Sequence, residues 1–194
     1  MVRRDPPPPD WREDLRKGLG VIGGRAESLS RLMAAYARLA RLPHPRFEPV
    51  SVAEWVRRVA SLETRRPVII CAGPDVTMQA DGGQLDQLLI NLVHNAVDAT
   101  LEMSGDGHVE LGWSAHNARL EVWVRDDGPG LADTINLFVP FYTTKTEGSG
   151  IGLALSRQIA EAHGGRLTLA NRTDRRGCEA RLSLPMSTSL LTPG

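Results

Sequence analysis

The sequence has few cysteines, few aromatic residues and no excess of either charge. Its two cysteines, Cys71 and Cys178, lie in separate strand-like segments without a CxxC pair or a nearby histidine, so we expect reduced, buried thiols without a metal or redox role. Lysine and arginine together number 23, and so do aspartate and glutamate. This balance gives no overall field that would attract nucleic acid or an anionic membrane. We therefore expect no nucleic-acid partner and a function that depends on local sites.

Long apolar runs are also absent. No run approaches the ~20 residues of a membrane-spanning helix, and the initial MVRRDPPPPD has charges and prolines where a signal peptide has an apolar stretch. The expected location is cytoplasmic, with any membrane anchor in a longer parent protein. An apolar content of 41% and a charged content of 24% are typical of a globular protein.

Prolines and heptad spacing predict the domain organisation. Residues 1–10 include four consecutive prolines and are expected to form a disordered arm. Across residues 11–43, apolar or small residues recur at alternating steps of four and three, which predicts a helix that needs a partner helix. These residues are Leu15, Leu19, Ile22, Ala26, Leu29, Met33, Tyr36 and Ala40. We expect a linker at 44–50, a globular domain at 51–186 and a disordered tail at 187–194.

Helix and strand patterns alternate within the globular domain. Ser51 with Glu54 predicts a capped short helix, and Asp81 precedes a long helix that reaches about Met103. The predicted strands are PVIICAG and VTMQA, the hairpin HVELGWSA and ARLEVWVRD, and, after a last helix, RLTLANR and CEARLSLP. This order predicts an α+β protein, a two-layer α/β sandwich whose mixed sheet is covered by helices on one face, preceded by the long N-terminal helix.

A glycine-rich segment, GSGIGLALS, runs directly into the last helix. Its glycines, Gly148, Gly150 and Gly152, allow backbone N–H groups to turn toward an anion, and a helix N-terminus adds positive charge. The spacing fits neither the dinucleotide pattern GxGxxG nor the Walker pattern, so a turn that only starts the helix is the alternative.

A second motif, RDDGPG, follows a predicted strand. The carboxylate of Asp126 could accept hydrogen bonds from an exocyclic amine, while Gly128 and Gly130 would let a flat ring approach the backbone. The alternative is an ordinary Asp-Gly turn.

The long helix carries a polar stripe beside its apolar core face. At helical spacing this stripe contains Gln84, Gln87, Asn91, Asn95 and Asp98. Asparagine is a poor helix former, and solvated faces usually carry Glu, Lys or Arg. Asn91 and Asn95, one turn apart, therefore indicate carbonyl oxygens directed at a ligand such as hydrated Mg²⁺, with a solvated face as the alternative.

Together these motifs resemble the four boxes of the sensor histidine kinase ATP-binding domain. NLVHNAVDA resembles the N box, DDGPG the G1 box, LFVPFYTTK the F box and GSGIGLALS the G2 box, in the right order between residues 51 and 185. The family lies within the gyrase, Hsp90, histidine kinase and MutL superfamily, so the resemblance implies the Bergerat ATP-binding fold, ATP and Mg²⁺.

The resemblance also implies roles for individual residues. Asn95 would bind Mg²⁺ with support from Asn91, Asp126 would bind the adenine amine, and Lys145 would join the two asparagines in catalysis. The other implied nucleotide-binding residues line the base pocket, anchor a lid or meet the phosphates; they are Gly128, Gly130, Phe138, Phe141, Ser149, Gly150, Ile151, Gly152 and Leu153. ATP-hydrolysing relatives usually have glutamate at the place of Asn91, and an amide cannot act as a base, so transfer to an acceptor is favoured over hydrolysis.

The phosphoacceptor histidine of such kinases has no counterpart in this sequence. It normally lies in an H box resembling HExxN, but no histidine precedes Pro43 and none is followed by Glu and Asn at that spacing. Residues 11–43 resemble the second helix of the dimerisation hairpin in kinases of the nitrogen-regulation NtrY type. The implied partners are ATP or ADP, a histidine-bearing dimerisation helix and a response-regulator receiver domain, with a homodimer through residues 11–42 as one arrangement. We expect no autophosphorylation in cis.

Three other functions compete with this interpretation. A degenerate nucleotide-binding regulatory or scaffold module without kinase activity would explain the missing histidine, although the intact Asn95, Asp126 and Gly150 argue against a lost site. An ATP-hydrolysing machine is disfavoured by Asn91 and by the lack of a following transducer domain. An anti-sigma serine kinase would share the pocket without the H box, but would leave the heptad helix unexplained.

Overall fold

The computed structural model of the protein describes residues 11–40, 42–103, 107–132, 136–143 and 150–186. The chain divides into two compact units, residues 1–41 and 42–194. The first unit contains one helix, α1 (Trp11–Ala40), as the heptad pattern predicts. Its large apolar side chains are exposed where they are described, from 41% for Trp11 to 65% for Ile22. No helix among the described residues combines the length and the apolar character needed to cross a bilayer.

The second unit mixes helices and strands. In chain order its elements are β1 (Glu48–Ser51), α2 (Val52–Leu62), β2 (Val68–Cys71), β3 (Thr77–Ala80), α3 (Gly82–Leu101), β4 (Val109–His116), β5 (Arg119–Asp126), α4 (Gly152–Ala162), β6 (Arg166–Asn171) and β7 (Cys178–Pro185). The main sheet has the order β2-β4-β5-β7-β6. Because β2 runs parallel to β4 and the other neighbours are antiparallel, the sheet is mixed, as predicted.

The sheet directs every second residue toward the helices. Along β5, the buried side chains alternate with half-buried or exposed ones, and the buried set is Leu120, Val122, Val124 and Asp126. The core between sheet and helices is completed by α3, whose Leu85, Leu88 and Leu89 are fully buried. Asp126 is thus a carboxylate on the core side of the sheet, at the end of its strand.

Local signals set the element boundaries as expected. Ser51 Oγ accepts a hydrogen bond from the Glu54 N–H at 3.4 Å, and Asp81 Oδ1 accepts one from the Gln84 N–H at 3.0 Å, so both predicted N-caps are confirmed. The β4–β5 hairpin turns at Asn117 and Ala118, whose φ angles of 50° and 58° are those of a tight two-residue turn.

Strand β1 is the main departure from the sequence prediction. Residues 44–50 are predicted as a linker, but Glu48–Val50 form most of β1, which pairs antiparallel with β3. The two strands predicted before the long helix therefore lie in different sheets, since β2 pairs with β4 and β3 pairs with β1. A four-residue strand that contains Pro49 has almost no alternation to detect, and proline disfavours strand assignment.

The cysteines are free thiols, as expected. Cys178 is buried and Cys71 is half-buried. Burial raises the pKa of the Cys178 thiol to about 12, with a further contribution from the charge of Asp126, so this thiol is neutral and unreactive.

Candidate functional site

Helix α3 connects the two glycine motifs. Near its middle, Asn91 touches the start of α4: a Cβ placed on Gly152 would lie 2.5 Å from Asn91 Oδ1. Eight residues later, Ala99 touches the turn after β5, since a Cβ on Gly128 would lie 2.7 Å from the Ala99 Cβ. At the rise of an α-helix, eight residues separate the two contacts by ~12 Å. The predicted ligand-binding motifs therefore contact α3 at its middle and near its C-terminal end, and these two contacts define the two ends of the site.

At the end of the site that lies near Ala99, the Asp126 carboxylate is buried, with 5% of the residue exposed. Its Oδ1 accepts hydrogen bonds from the Gly128 N–H at 2.9 Å and from the Cys178 N–H at 3.2 Å. Burial raises the pKa of Asp126 above its ordinary value, while these two bonds and the charge of Arg172 oppose that rise. Burial of a charged carboxylate here costs free energy, and the backbone N–H groups around it fix its orientation.

The turn after Asp126 requires glycine at both predicted positions. Gly128 lies against Ala99 and against its own strand's Asp126, whose Oδ1 would be 2.9 Å from an added Cβ. Gly130 has a φ of +81°, and a Cβ there would lie 2.8 Å from Asn171 Oδ1. Any larger residue would push the turn away from α3 or from β6.

At the other end of the site, at the middle of α3, the Asn91 amide is held by α4. Its Nδ2 donates a hydrogen bond to Ser156 Oγ at 3.0 Å, and Ser156 is 1% exposed. The same amide packs on the backbone of Gly152, so that only glycine fits there. Asn95 is half-buried on α3, one turn after Asn91.

The first turn of α4 has no side-chain cap. Its N-cap residue is Ile151, a buried apolar residue that makes no capping hydrogen bond, and α4 has no acidic residue in its first turn. By contrast, α2 and α3 are capped by Ser51 and Asp81. The first N–H groups of α4, at Gly152 and Leu153, thus form the kind of helix start that attracts an anion.

The segment predicted as a lid is joined to α4 at its base. The Phe141 N–H donates to Gly150 O at 2.8 Å, and Gly150, with a φ of +65°, packs directly on the Phe141 backbone. Phe141 itself has a φ of 68°, and the half-buried Phe138 lies under the Arg157 guanidinium at 5.2 Å. The predicted phosphate-binding residues Lys145 and Ser149 fall outside the described residues.

Several contacts at the site come from residues that were not predicted to belong to it. They are Ser156, Asn171, Arg172, Gly177 and Cys178. A Cβ on Gly177 would overlap the carbonyl oxygen of Asp126. A signal was present for two of them: Ser156 is a hydroxyl on the buried face of α4, one turn after Gly152, and Gly177 immediately precedes a strand.

A metal site made only of protein carboxylates, thiols or imidazoles does not occur among the described residues, where no three such groups cluster. The polar stripe of α3 instead includes the side-chain amide oxygens of Asn91 and Asn95. Mg²⁺ is commonly held by one or two protein oxygens together with substrate phosphates and water. The donor set is therefore compatible with a metal that arrives with a phosphate ligand.

A protein-family profile matches the part of the chain that contains both ends of the site. The family is described as histidine kinase-, DNA gyrase B-, and HSP90-like ATPase, and the match covers residues 80–188. This range includes all four motifs.

Individual proteins are also similar to the chain. The chain is 40% identical over 115 residues to the sensor protein FixL of Bradyrhizobium diazoefficiens, which covers 58% of this chain and 22% of FixL. The nucleotide-free catalytic domain of histidine kinase ThkA has a TM-score of 0.63 and 29% identity, covering 73% of this chain and 96% of that domain. Full-length ShkA in complex with AMPPNP has a TM-score of 0.69 and 29% identity, covering 91% of this chain and 39% of ShkA. The chain thus spans about a fifth of the length of FixL.

Proposed function

The chain belongs to the family of histidine kinase-, DNA gyrase B- and HSP90-like ATPases, and from this premise we propose that residues 51–186 bind ATP with Mg²⁺ and transfer the γ-phosphoryl group to a histidine. The acceptor would lie on a dimerisation helix outside this domain, which α1 would join as the second helix of the hairpin, in a homodimer or with a separate segment. An aspartate of a response-regulator receiver domain would receive the group next.

The surroundings of Asn91 favour transfer of the phosphoryl group over hydrolysis of ATP. Activation of a water molecule requires a base within hydrogen-bond reach, and a neutral amide cannot take the proton. The Asn91 amide is also fixed, because Ser156 accepts from its Nδ2 and Gly152 packs against it. An acceptor that brings its own nucleophile, such as a histidine imidazole, needs no such base, and the domain then contributes position and charge.

The Asp126 end, which we call the base end, fits an adenine ring. Since Asp126 Oδ1 is engaged by the N–H groups of Gly128 and Cys178, Oδ2 is the oxygen that would accept from the exocyclic amine. Guanine presents a carbonyl oxygen at that position, which the carboxylate would repel. The glycines of the turn let it pack closely against α3 and the end of β6, which holds the turn in place beside Asp126.

The Asn91 end, which we call the phosphate end, fits a triphosphate. The uncapped start of α4 and the backbone of Gly150, Ile151 and Gly152 would donate N–H groups to its oxygens. Asn95 and Asn91 would hold Mg²⁺, which when bound neutralises triphosphate charge. Lys145 would add a second cation and Ser149 a hydroxyl, while Phe138 and Phe141 would anchor a lid.

Calorimetric titration of ATP into the whole chain, with and without Mg²⁺, tests the proposal. We expect binding that is tighter with Mg²⁺, and we expect Asn95→Ala to lose that difference. Gln87→Ala is the matched control, because Gln87 is an exposed amide on the same polar stripe of α3. Absence of ATP binding by the unmodified chain would overturn the proposal and favour the scaffold function.

Transfer is tested separately by adding a histidine-bearing helix hairpin and γ-labelled ATP. We expect stable label on the added hairpin and none on this chain when it is incubated alone. Steady release of inorganic phosphate without labelled hairpin would instead indicate an ATP-hydrolysing machine.

A further inference from the structure

The loop that joins β6 to β7 contacts the base end through residues other than those of α3. We call residues 171–178 the bracing loop and residues 126–131 the base turn. Asn171 forms two hydrogen bonds with a single residue of the base turn: its Oδ1 accepts from the Leu131 N–H at 2.6 Å, and its Nδ2 donates to Leu131 O at 3.1 Å. This side chain thus pairs with the backbone as a neighbouring strand would, and it fixes the end of the base turn.

Arg172 fixes the second residue of the base turn, Asp127. Its side chain is 3% exposed, and its NH1 donates to Asp127 Oδ1 at 3.2 Å while its NH2 donates to Asp174 Oδ2 at 2.8 Å. A guanidinium that is this deeply buried requires such partners, and its planar geometry fixes their directions. The position of Asp127 is therefore coupled to that of the bracing loop.

The last residues of the bracing loop fix the start of the base turn. Gly177 packs directly on the carbonyl oxygen of Asp126, and the Cys178 N–H donates to Asp126 Oδ1. The bracing loop therefore contacts the six-residue base turn at Asp126, Asp127 and Leu131. It does so through Asn171, Arg172, Gly177 and Cys178, all of which lie outside the four sequence motifs.

We propose that Asn171 and Arg172 are positioning residues that hold Asp126 and Gly128 in the geometry that receives the adenine ring. The inference rests on the proposed ATP-binding function. A site that is ordered before its ligand arrives loses less conformational entropy on binding, so its affinity depends on the groups that order it. Without the hydrogen bonds of Asn171 and Arg172, the base turn would keep its own hydrogen-bonding groups. It would, however, sample positions in which these groups do not meet the adenine ring.

The test measures the affinity of the whole chain for ATP and for ADP in variants of Asn171. Asn171→Ala removes both hydrogen bonds to Leu131 at an exposed position, so we expect the chain to stay folded and its dissociation constants to rise about 10-fold. The rise should be equal for ATP and ADP, because the γ-phosphate contacts lie at the other end. Asn171→Asp keeps the acceptor oxygen and should recover part of the affinity.

Arg172→Gln tests the second residue of the base turn, and Arg175→Gln is its control. Arg175 is in the same loop, but it is exposed. Its contacts with carboxylates are longer than those of Arg172, at 3.4 Å to Asp174 and 3.7 Å to Glu110 and to Asp127. We expect weaker ATP binding for Arg172→Gln and unchanged binding for Arg175→Gln, with circular dichroism confirming that both are folded.

The outcomes separate this inference from the function on which it rests. If the unmodified chain binds no ATP, both are wrong. If it binds ATP and Asn171→Ala binds equally well, the positioning role is wrong and the proposed function stands. If the Asn171 variants lose affinity only in proportion to a lower melting temperature, the residues serve general stability and the positioning role is wrong. If the ratio of ATP to ADP affinity changes, the substitution acts on the phosphate end, and the positioning role at the base end is also wrong.

Discussion

The base end and the phosphate end of the site are built in different ways. At the base end, a buried carboxylate is held by two backbone N–H groups, and the turn beside it is bonded on its far side by Asn171 and Arg172. At the phosphate end, the groups among the described residues that could meet a ligand are the first N–H groups of an uncapped helix and the side-chain amides of Asn91 and Asn95.

This difference indicates that the base end serves mainly binding and the phosphate end mainly transfer. The base end has its hydrogen bonds in place without a ligand, so it can contribute affinity and selectivity at little cost in ordering. The phosphate end offers donors whose best partner is an anion, and these interactions can strengthen as charge moves during phosphoryl transfer. Changes at the base end should therefore affect binding, and changes at the phosphate end should affect the rate of transfer more than binding.

Asp126→Asn should give the largest effect. The amide keeps an acceptor oxygen for the Gly128 and Cys178 N–H groups, but it turns an NH₂ group toward the adenine amine, so that two donors face each other. We expect ATP affinity to fall about 100-fold, which corresponds to about 2.7 kcal/mol. Titration calorimetry measures this directly, with Asp75→Asn as a control at an exposed aspartate. If the variant binds ATP normally but transfers slowly, the base end serves transfer and its assignment to binding is wrong.

Gly152→Ala should have the next largest effect and should act on transfer. The added methyl group would lie 2.5 Å from Asn91 Oδ1, so either the amide or the start of α4 must move. We expect the transfer rate to fall about 10-fold or more with a smaller change in ATP affinity. Gly83→Ala is the matched control, because a Cβ there would make only an ordinary contact, at 3.5 Å from Asp81 Oδ1.

Ser156→Ala should produce a smaller change of the same kind. It removes the acceptor of the Asn91 Nδ2 hydrogen bond but leaves the methylene group that packs in α4. Loss of one hydrogen bond is worth about 1 kcal/mol, so we expect transfer to slow about 5-fold with ATP affinity almost unchanged. Single-turnover labelling of the supplied hairpin measures the rate. An equal loss of affinity for ATP would show that Asn91 serves binding instead.

The sequence predicts those features that depend on residues close together in the chain. The family resemblance, the mixed sheet and the helix starts at Ser51 and Asp81 are confirmed, because motif residues and N-caps act within a few positions of the chain. The NtrY-type assignment stays a prediction, as do the roles of all the proposed site residues, from Asn91, Asn95 and Asp126 to those outside the described residues, Lys145 and Ser149.

What the sequence does not predict depends on contacts between distant segments. Asn171 and Leu131 are 40 positions apart, and Asn91 and Ser156 are 65 positions apart. Nothing near either residue identifies its partner, because the pairing is decided by which strands become neighbours in the sheet and by how α4 packs on α3. The short strand β1 was missed for the same reason, since its pairing with β3 supplies most of what stabilises it.

The smallest effect should come from Asp81, which supports α3 without belonging to either end. Its side chain accepts hydrogen bonds from the N–H groups of Arg46 and Gln84, which lower its pKa below the ordinary value of 3.8. A carboxylate with a lowered pKa stabilises the fold above its unfolded pKa, and that contribution is lost as the pH falls through the lower folded pKa. Asp81→Ala should therefore cost about 1 kcal/mol of unfolding free energy near neutral pH, with the difference from the unmodified chain shrinking on acidification.

Urea unfolding at a series of pH values measures this contribution, and ATP titration of the folded Asp81→Ala chain shows whether the site is affected. Asp81→Asn should lose much less stability, since asparagine is an equally good N-cap and keeps an acceptor for the Gln84 N–H. We expect unchanged ATP affinity for both variants, because Asp81 lies more than two turns before Asn91 and caps a helix whose core face is fully buried. A loss of affinity in a chain that is still folded would mean that the start of α3 also sets the geometry of the phosphate end.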